Sequence, residues 1–192
     1  PFMDMMRFEL TTRARFEDLV RTDPSTLLDL ERAARFIYLQ RTAFGGKVVG
    51  RGFGVAPSNP ARFDINKLGP MLEAVHERLS SVVIERLPWA EFIRRYDRPG
   101  MLFYLDPPYY GCEKDYGDDA GRPLFAREEF EQMAALLATI KGRFVLSIND
   151  HPEVRRIFAG FDFDEVDVTY SVGGMANAKK AGELIILGGG SG

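Results

Sequence analysis

A single cysteine, Cys112, in 192 residues excludes a disulfide within the chain and any cysteine-built metal site. Two histidines, His76 and His151, are too few for a zinc cluster, so no metal is expected. No stretch stays apolar for the roughly 20 residues that a membrane helix needs. No signal peptide is visible, and a reducing, cytoplasmic location is the default expectation. A charge excess of one sign is also missing. Lys and Arg number 25 against 28 Asp and Glu, a net charge of −3, so bulk electrostatics do not announce a nucleic-acid partner.

What is present is local. Hydrophobic residues make up 45% of the chain, which suits one globular domain or a core with a small inserted module. Between Arg32 and Lys67 stand seven cations (Arg32, Arg35, Arg41, Lys47, Arg51, Arg62, Lys67) against one acid, Asp64. A basic segment on an acidic body is the pattern of a phosphate-binding arm, although a solvated surface gives the same pattern.

The first part of the chain reads as helical. Residues 8–20 form a short helix carrying Phe8, Phe16 and Leu19. Asp23 and Pro24 then start a longer one, with Leu27, Leu30, Ala34, Ile37 and Tyr38 at helical spacing, stopped by Gly45-Gly46. The glycine-rich, basic run from Gly45 reads as a hairpin or exposed loop across about 44–60. Asn66 is a candidate cap for a helix whose Leu68, Leu72, Val75 and Leu79 share one face, with His76 at its margin. After residue 80 short strands and helices alternate. Strands are expected at Val82-Val83-Ile84, 101–105, 144–147, 163–170 and 184–187, and helices at 89–96, 128–140 and 152–158. The apolar run 101–105 suits a strand buried on both faces, and the β-α-β spacing implies an α/β layered fold with a largely parallel sheet. The closing Gly188-Gly189-Gly190-Ser191-Gly192 reads as a flexible linker or expression scar.

Asp106-Pro107-Pro108-Tyr109 follows the apolar run directly, and open parallel sheets place ligands beyond the carboxyl ends of their strands. Two prolines withhold two backbone donors and stiffen the turn. The exocyclic amine of adenine is a poor nucleophile because its lone pair is delocalised into the ring. The Asp106 carboxylate and the Pro107 carbonyl suit its two N–H groups, and an aromatic such as Tyr109 offers a stacking face to a base flipped from its duplex. Two blander readings remain. One is an Asp-Pro turn that merely ends a strand. The other is the Pro-Pro-x-Tyr ligand of WW domains, spelled by Pro107-Pro108-Tyr109-Tyr110, although such ligands are normally exposed.

Phe103-Tyr104-Leu105-Asp106-Pro107-Pro108-Tyr109 resembles the catalytic motif of Dam-like (D12 class) adenine-N6 DNA methyltransferases of phage and prophage type. The run Arg32 to Gln40, followed by Phe44-Gly45-Gly46-Lys47, looks like the start of that family's DNA-recognition module. Ser147-Ile148-Asn149-Asp150 and Glu183-Leu184-Ile185-Ile186 are similar to later core segments. The resemblance implies a Rossmann-like S-adenosylmethionine-dependent core, incomplete at its N-terminus, with a mostly helical recognition module. The implied division is 1–80 for DNA recognition, 81–187 for catalysis and 188–192 as tail. Asp106 and Pro107 would bind the amine, with Pro108 shaping the turn and Tyr109 stacking on the base. Arg41, Lys47, Arg51, Ser147 and Asn149 would contact double-stranded DNA, Arg51 through guanine or phosphate. Leu87, Trp89 and Asp106 would face the methyl donor, unless Trp89 is plain core. The biological setting implied is phage or restriction-modification methylation.

The sequence also departs from that family. Its Gly-rich Phe-x-Gly-x-Gly donor turn has no counterpart before residue 44, and the glycines of 45–54 follow a helix rather than a strand. The expectation is therefore a longer intact enzyme, or strands recovered from another chain, with a homo-oligomer as one route. The competing functions are a cytosine-N4 methyltransferase, whose related motif carries Ser where Asp106 stands, and a catalytically silent DNA-binding fragment.

Overall fold

In a computed structural model, which describes residues 1–46, 50–55, 60–112, 125–170 and 179–190, the chain divides into two units, Pro1–Ile84 and Glu85–Gly192. The first unit is helical: α1 (Phe2–Met6), α2 (Arg13–Arg21), a 3₁₀ turn (Pro24–Thr26), α3 (Asp29–Thr42) and α4 (Ile65–Leu79). Thr12 caps α2 by accepting from the Arg15 N–H at 3.2 Å, and the Asp64 side chain caps α4 by accepting from the Asn66 N–H at 3.0 Å. Met6, Phe16, Leu19, Tyr38, Leu39, Ala43, Phe63 and Leu68 form its core. The Tyr38 hydroxyl satisfies itself there, donating to the Leu10 carbonyl at 2.8 Å and accepting from the Thr12 N–H at 3.0 Å.

Three helical expectations change. The helix expected over 8–20 begins only at Arg13, because the Thr12 cap fixes its start; Phe8 is 84% exposed. Asp23 caps only the 3₁₀ turn, bonding Ser25, and Leu27 and Leu28 are extended before α3 begins. Asp64, not Asn66, is the cap of α4. The glycine-rich stretch closes as a hairpin at its base. Ala43 bridges Phe53 antiparallel, Phe44 N–H donates to the Gly52 carbonyl, and Gly54 N–H donates to the Thr42 carbonyl, both at 2.8 Å. Residues 47–49 and 56–59 lie outside the described residues.

The second unit runs α5 (Trp89–Tyr96), β1 (Leu102–Leu105), α6 (Arg127–Leu137), β2 (Arg143–Asn149), α7 (Pro152–Ile157), β3 (Asp162–Tyr170) and β4 (Lys179–Gly189). The sheet order is β1-β2-β4-β3. β1 pairs parallel with β2, while β4 pairs antiparallel with both β2 and β3. The sheet is therefore mixed, not largely parallel. The reason is connection length. Only residues 171–178 join β3 to β4, too few for the crossover that a parallel return requires.

Alternation along the strands sorts the two faces of the sheet. Phe103, Phe144, Leu146, Ile148, Leu184 and Ile186 point to one face and are buried with Ile93 of α5, Phe130, Met133 and Leu137 of α6, and Val154 of α7. The opposite face carries Leu102 and Tyr104, 62% and 67% exposed. Among the described residues β1 is thus an edge strand buried on one face, not two, because the described helices of this unit pack on one side. Val82, Val83 and Ile84 form no strand and are exposed; three β-branched residues without a paired neighbour have no ladder to join. No described helix is long and apolar enough to cross a membrane.

The glycine run read as a tail enters the sheet. Gly188 pairs with Phe144, and Gly190 N–H donates to the Gly142 carbonyl at 2.7 Å. A Cβ on Gly188 would lie 2.7 Å from Phe161 and 2.8 Å from Phe144. Gly188→Val is therefore expected to destabilise the fold by about 1–3 kcal/mol, read as a lower urea midpoint with an unchanged slope. A second prediction concerns acid. Asp97 accepts from the backbone N–H groups of Lys141 and Gly142, which hold its carboxyl below the usual 3.8. Its contribution is present above that ordinary value and is lost as the pH falls through the lowered one. Acid unfolding curves of Asp97→Asn should lack this part of the pH dependence.

Candidate active site

β1 ends where Asp106 begins, and the sequence itself forces the end. Pro107 and Pro108 have no N–H to donate, so the ladder cannot continue. Pro107 is buried while Asp106 stays exposed. Side chains tie the turn that follows to the sheet.

Three residues at the carboxyl end of β2 and its partner strand do the tying. Ser147 Oγ donates to Asp106 Oδ1 at 3.3 Å and lies 3.1 Å from the Tyr104 hydroxyl. With the serine proton on the carboxylate, Tyr104 is the donor to Ser147, which gives a chain Tyr104→Ser147→Asp106. Glu183 accepts a hydrogen bond from the Tyr109 hydroxyl. The Asn149 carboxamide meets Tyr110 twice: Oδ1 accepts from its N–H at 2.8 Å, and Nδ2 donates to its carbonyl at 3.1 Å. Asn149 and Glu183 are direct cross-strand partners, and Ser147 lies two residues before Asn149 on the same face. All three project from the face opposite the helices, the face that carries Tyr104. Among the described residues, Ser147 alone hydrogen-bonds the Asp106 carboxylate.

The next residue fixes the turn from the other side. The Tyr110 ring lies 4.8 Å from the His151 ring and 5.3 Å from Phe130, with the Arg127 guanidinium 5.2 Å from its centroid. His151 itself caps α7, Nδ1 accepting from the Glu153 N–H at 3.1 Å.

This arrangement is a strand-end carboxylate with a half-buried tyrosine close in sequence, both held from below. The chain is similar to the Type II methyltransferase M.CviBI of Paramecium bursaria Chlorella virus NC1A, at 22% identity over 170 residues. That likeness supports a methyltransferase family. The match takes in 87% of this chain and 62% of that protein, so the chain spans less than two thirds of the relative. The small mixed sheet fits a methyltransferase-like fold. No family model matches the chain.

The structure brings Asp106, Pro107, Pro108, Tyr109, Ser147 and Asn149 together. Ser147 lies within β2 and Asn149 ends it, and both hold the motif. Leu87 and Trp89 lie in the same unit, both half-buried. The Trp89 indole N–H donates to Glu129 Oε1 at 3.0 Å, and its ring packs against the core. Arg41, at the end of α3, and Arg51 belong to the first unit; Lys47 lies outside the described residues. Tyr104, Tyr110 and Glu183 were missed as site residues. Strand alternation was the available signal for Tyr104, two positions before Asp106 on the same face.

Glu129 joins two features. Its other oxygen accepts from the Ala126 N–H at the start of α6 at 2.6 Å. Glu129→Ala should lower stability by about 1 kcal/mol. The emission of Trp89, the one tryptophan in the chain, should shift to the red as its indole is released.

Proposed function

We propose that the chain is a site-specific DNA methyltransferase that transfers a methyl group from S-adenosylmethionine to the N6 amine of adenine. In this reading the second unit carries the chemistry and the first supplies DNA contacts. The observation that carries the proposal is the exposed Asp106 carboxylate at the carboxyl tip of β1, bonded through one oxygen to Ser147 and followed by the half-buried Tyr109. The likeness to a Type II methyltransferase supports it independently.

Asp106 and the Pro107 carbonyl accept the two N–H groups of the target amine, which frees its lone pair. Ser147 and Tyr104 keep the carboxylate oriented towards the incoming base. Tyr109 offers its ring as a stacking face, its hydroxyl held by Glu183. Positioning supplies much of the rate, because the chain holds both acceptors at a stiff turn before the base arrives. The residues present fit one side of the donor. Asp106 offers a carboxylate to its cationic groups, and Leu87 with Trp89 offers half-buried apolar surface in the same unit. When bound, the donor supplies an electrophilic methyl on a positively charged sulfur. Arg41, Lys47 and Arg51 belong to the basic segment that contacts phosphates, and Arg51 is the residue suited to a guanine edge.

Mass spectrometry of nucleosides from unmethylated DNA incubated with the chain and S-adenosylmethionine tests this directly. N6-methyladenine is the expected product, and Asp106→Ala should lower its rate by about 100-fold or more. N4-methylcytosine instead would move the reaction to the other exocyclic amine. Full activity of Asp106→Ala would overturn the mechanism.

A further inference from the structure

The Asp106–Tyr110 turn has an unusual supply of backbone donors. Pro107 and Pro108 contribute none, so the first N–H groups after Asp106 are those of Tyr109 and Tyr110. The turn closes on itself through the Cys112 N–H, which donates to the Tyr109 carbonyl at 2.9 Å, but Pro107 and Pro108 offer the sheet no donor, and positioning demands that the turn be held there. Asn149 meets this need with one carboxamide. It gives an acceptor to the Tyr110 N–H at 2.8 Å and a donor to the Tyr110 carbonyl at 3.1 Å. A carboxamide offers both functions without charge, on two atoms set apart at the end of one planar group.

Placement gives the clamp its leverage. Asn149 is the last residue of β2, in register with Leu184-flanked Glu183 of β4, and so rests on the centre of the sheet. Its neighbours on the same face take the rest of the motif, Ser147 holding Asp106 and Glu183 holding Tyr109. Tyr110 is further fixed through its ring by His151, Phe130 and Arg127. We infer that Asn149 is a positioning residue: its carboxamide clamps the Tyr110 backbone and thereby sets Asp106 and Tyr109 for methyl transfer. One acceptor site and one N–H of its carboxamide are committed to the Tyr110 backbone, so it acts through the turn. The inference rests on the methyltransferase reading for its consequence, though not for its geometry.

Two variants and one measurement on the wild type test it. Asn149→Ala removes the amide, and Asn149→Leu removes both hydrogen bonds while keeping the volume. Each is expected to lower kcat by about 10- to 100-fold, with KM for DNA and for S-adenosylmethionine unchanged. A filler role would leave Asn149→Leu near wild type. A folded variant with wild-type kcat, or one that raises KM for DNA at unchanged kcat, overturns the inference. In the wild type the Tyr110 amide should exchange its hydrogen well below the rate of an unbonded turn amide. Exchange at the unbonded rate overturns the clamp, whatever the variants do. A wild type that forms no methylated base counts against the methyltransferase reading, and the exchange rate still decides the clamp separately.

Discussion

The alternation of side chains along β2 is the constraint from which the second unit follows. Phe144, Leu146 and Ile148 point to the helices and are almost wholly buried, and this burial holds the strand in the middle of the sheet. A slip of one residue would turn all three outward, so the register is fixed. The residues between and beyond them must then point the other way. Ser147 and Asn149 reach the opposite face for this reason, and the register with β4 adds Glu183 beside them. The hydrophobic core thus positions three polar side chains that it does not itself contain.

Those three side chains answer a difficulty raised by the motif. Two consecutive prolines stop β1 and stiffen the chain, but they also remove two of the turn's donors. Its attachment passes to side chains from neighbouring strands, and each takes a different part of the motif: a carboxylate, a ring hydroxyl, a backbone amide. Such a turn is held from below while Asp106 stays exposed above. For the proposed reaction this is the useful combination, since acceptors fixed before the substrate arrives need no reorganisation.

Much of the second unit was legible in the sequence. The helix over 89–96 and the positions of β1, β2, α7 and β3 follow from short apolar runs and helical spacing, with boundaries moved by a few residues. Sheet direction was not legible. With β4 expected only from 184, thirteen residues seemed to separate the last two strands, enough for a crossover. β4 starts at Lys179, the connection shrinks, and the strand must return antiparallel. The one-sided burial of β1 was also hidden, because an apolar run does not show on which face helices will pack. In the first unit caps decided the boundaries. Thr12 and Asp64 satisfy orphan N–H groups, and a choice between neighbouring polar residues turns on which oxygen reaches them.

The sequence by itself determined the motif and its place, because an apolar strand stopped by two prolines can only put Asp106 at a strand tip. It also determined that Ser147 and Asn149 share a face, since alternation is local. Only the tertiary structure decided that Glu183 joins them and that Asn149 bonds the Tyr110 backbone. Those pairings cross 74 and 39 residues of chain. They depend on strand order and register, which arise from burying one face of the whole sheet and not from any local pattern.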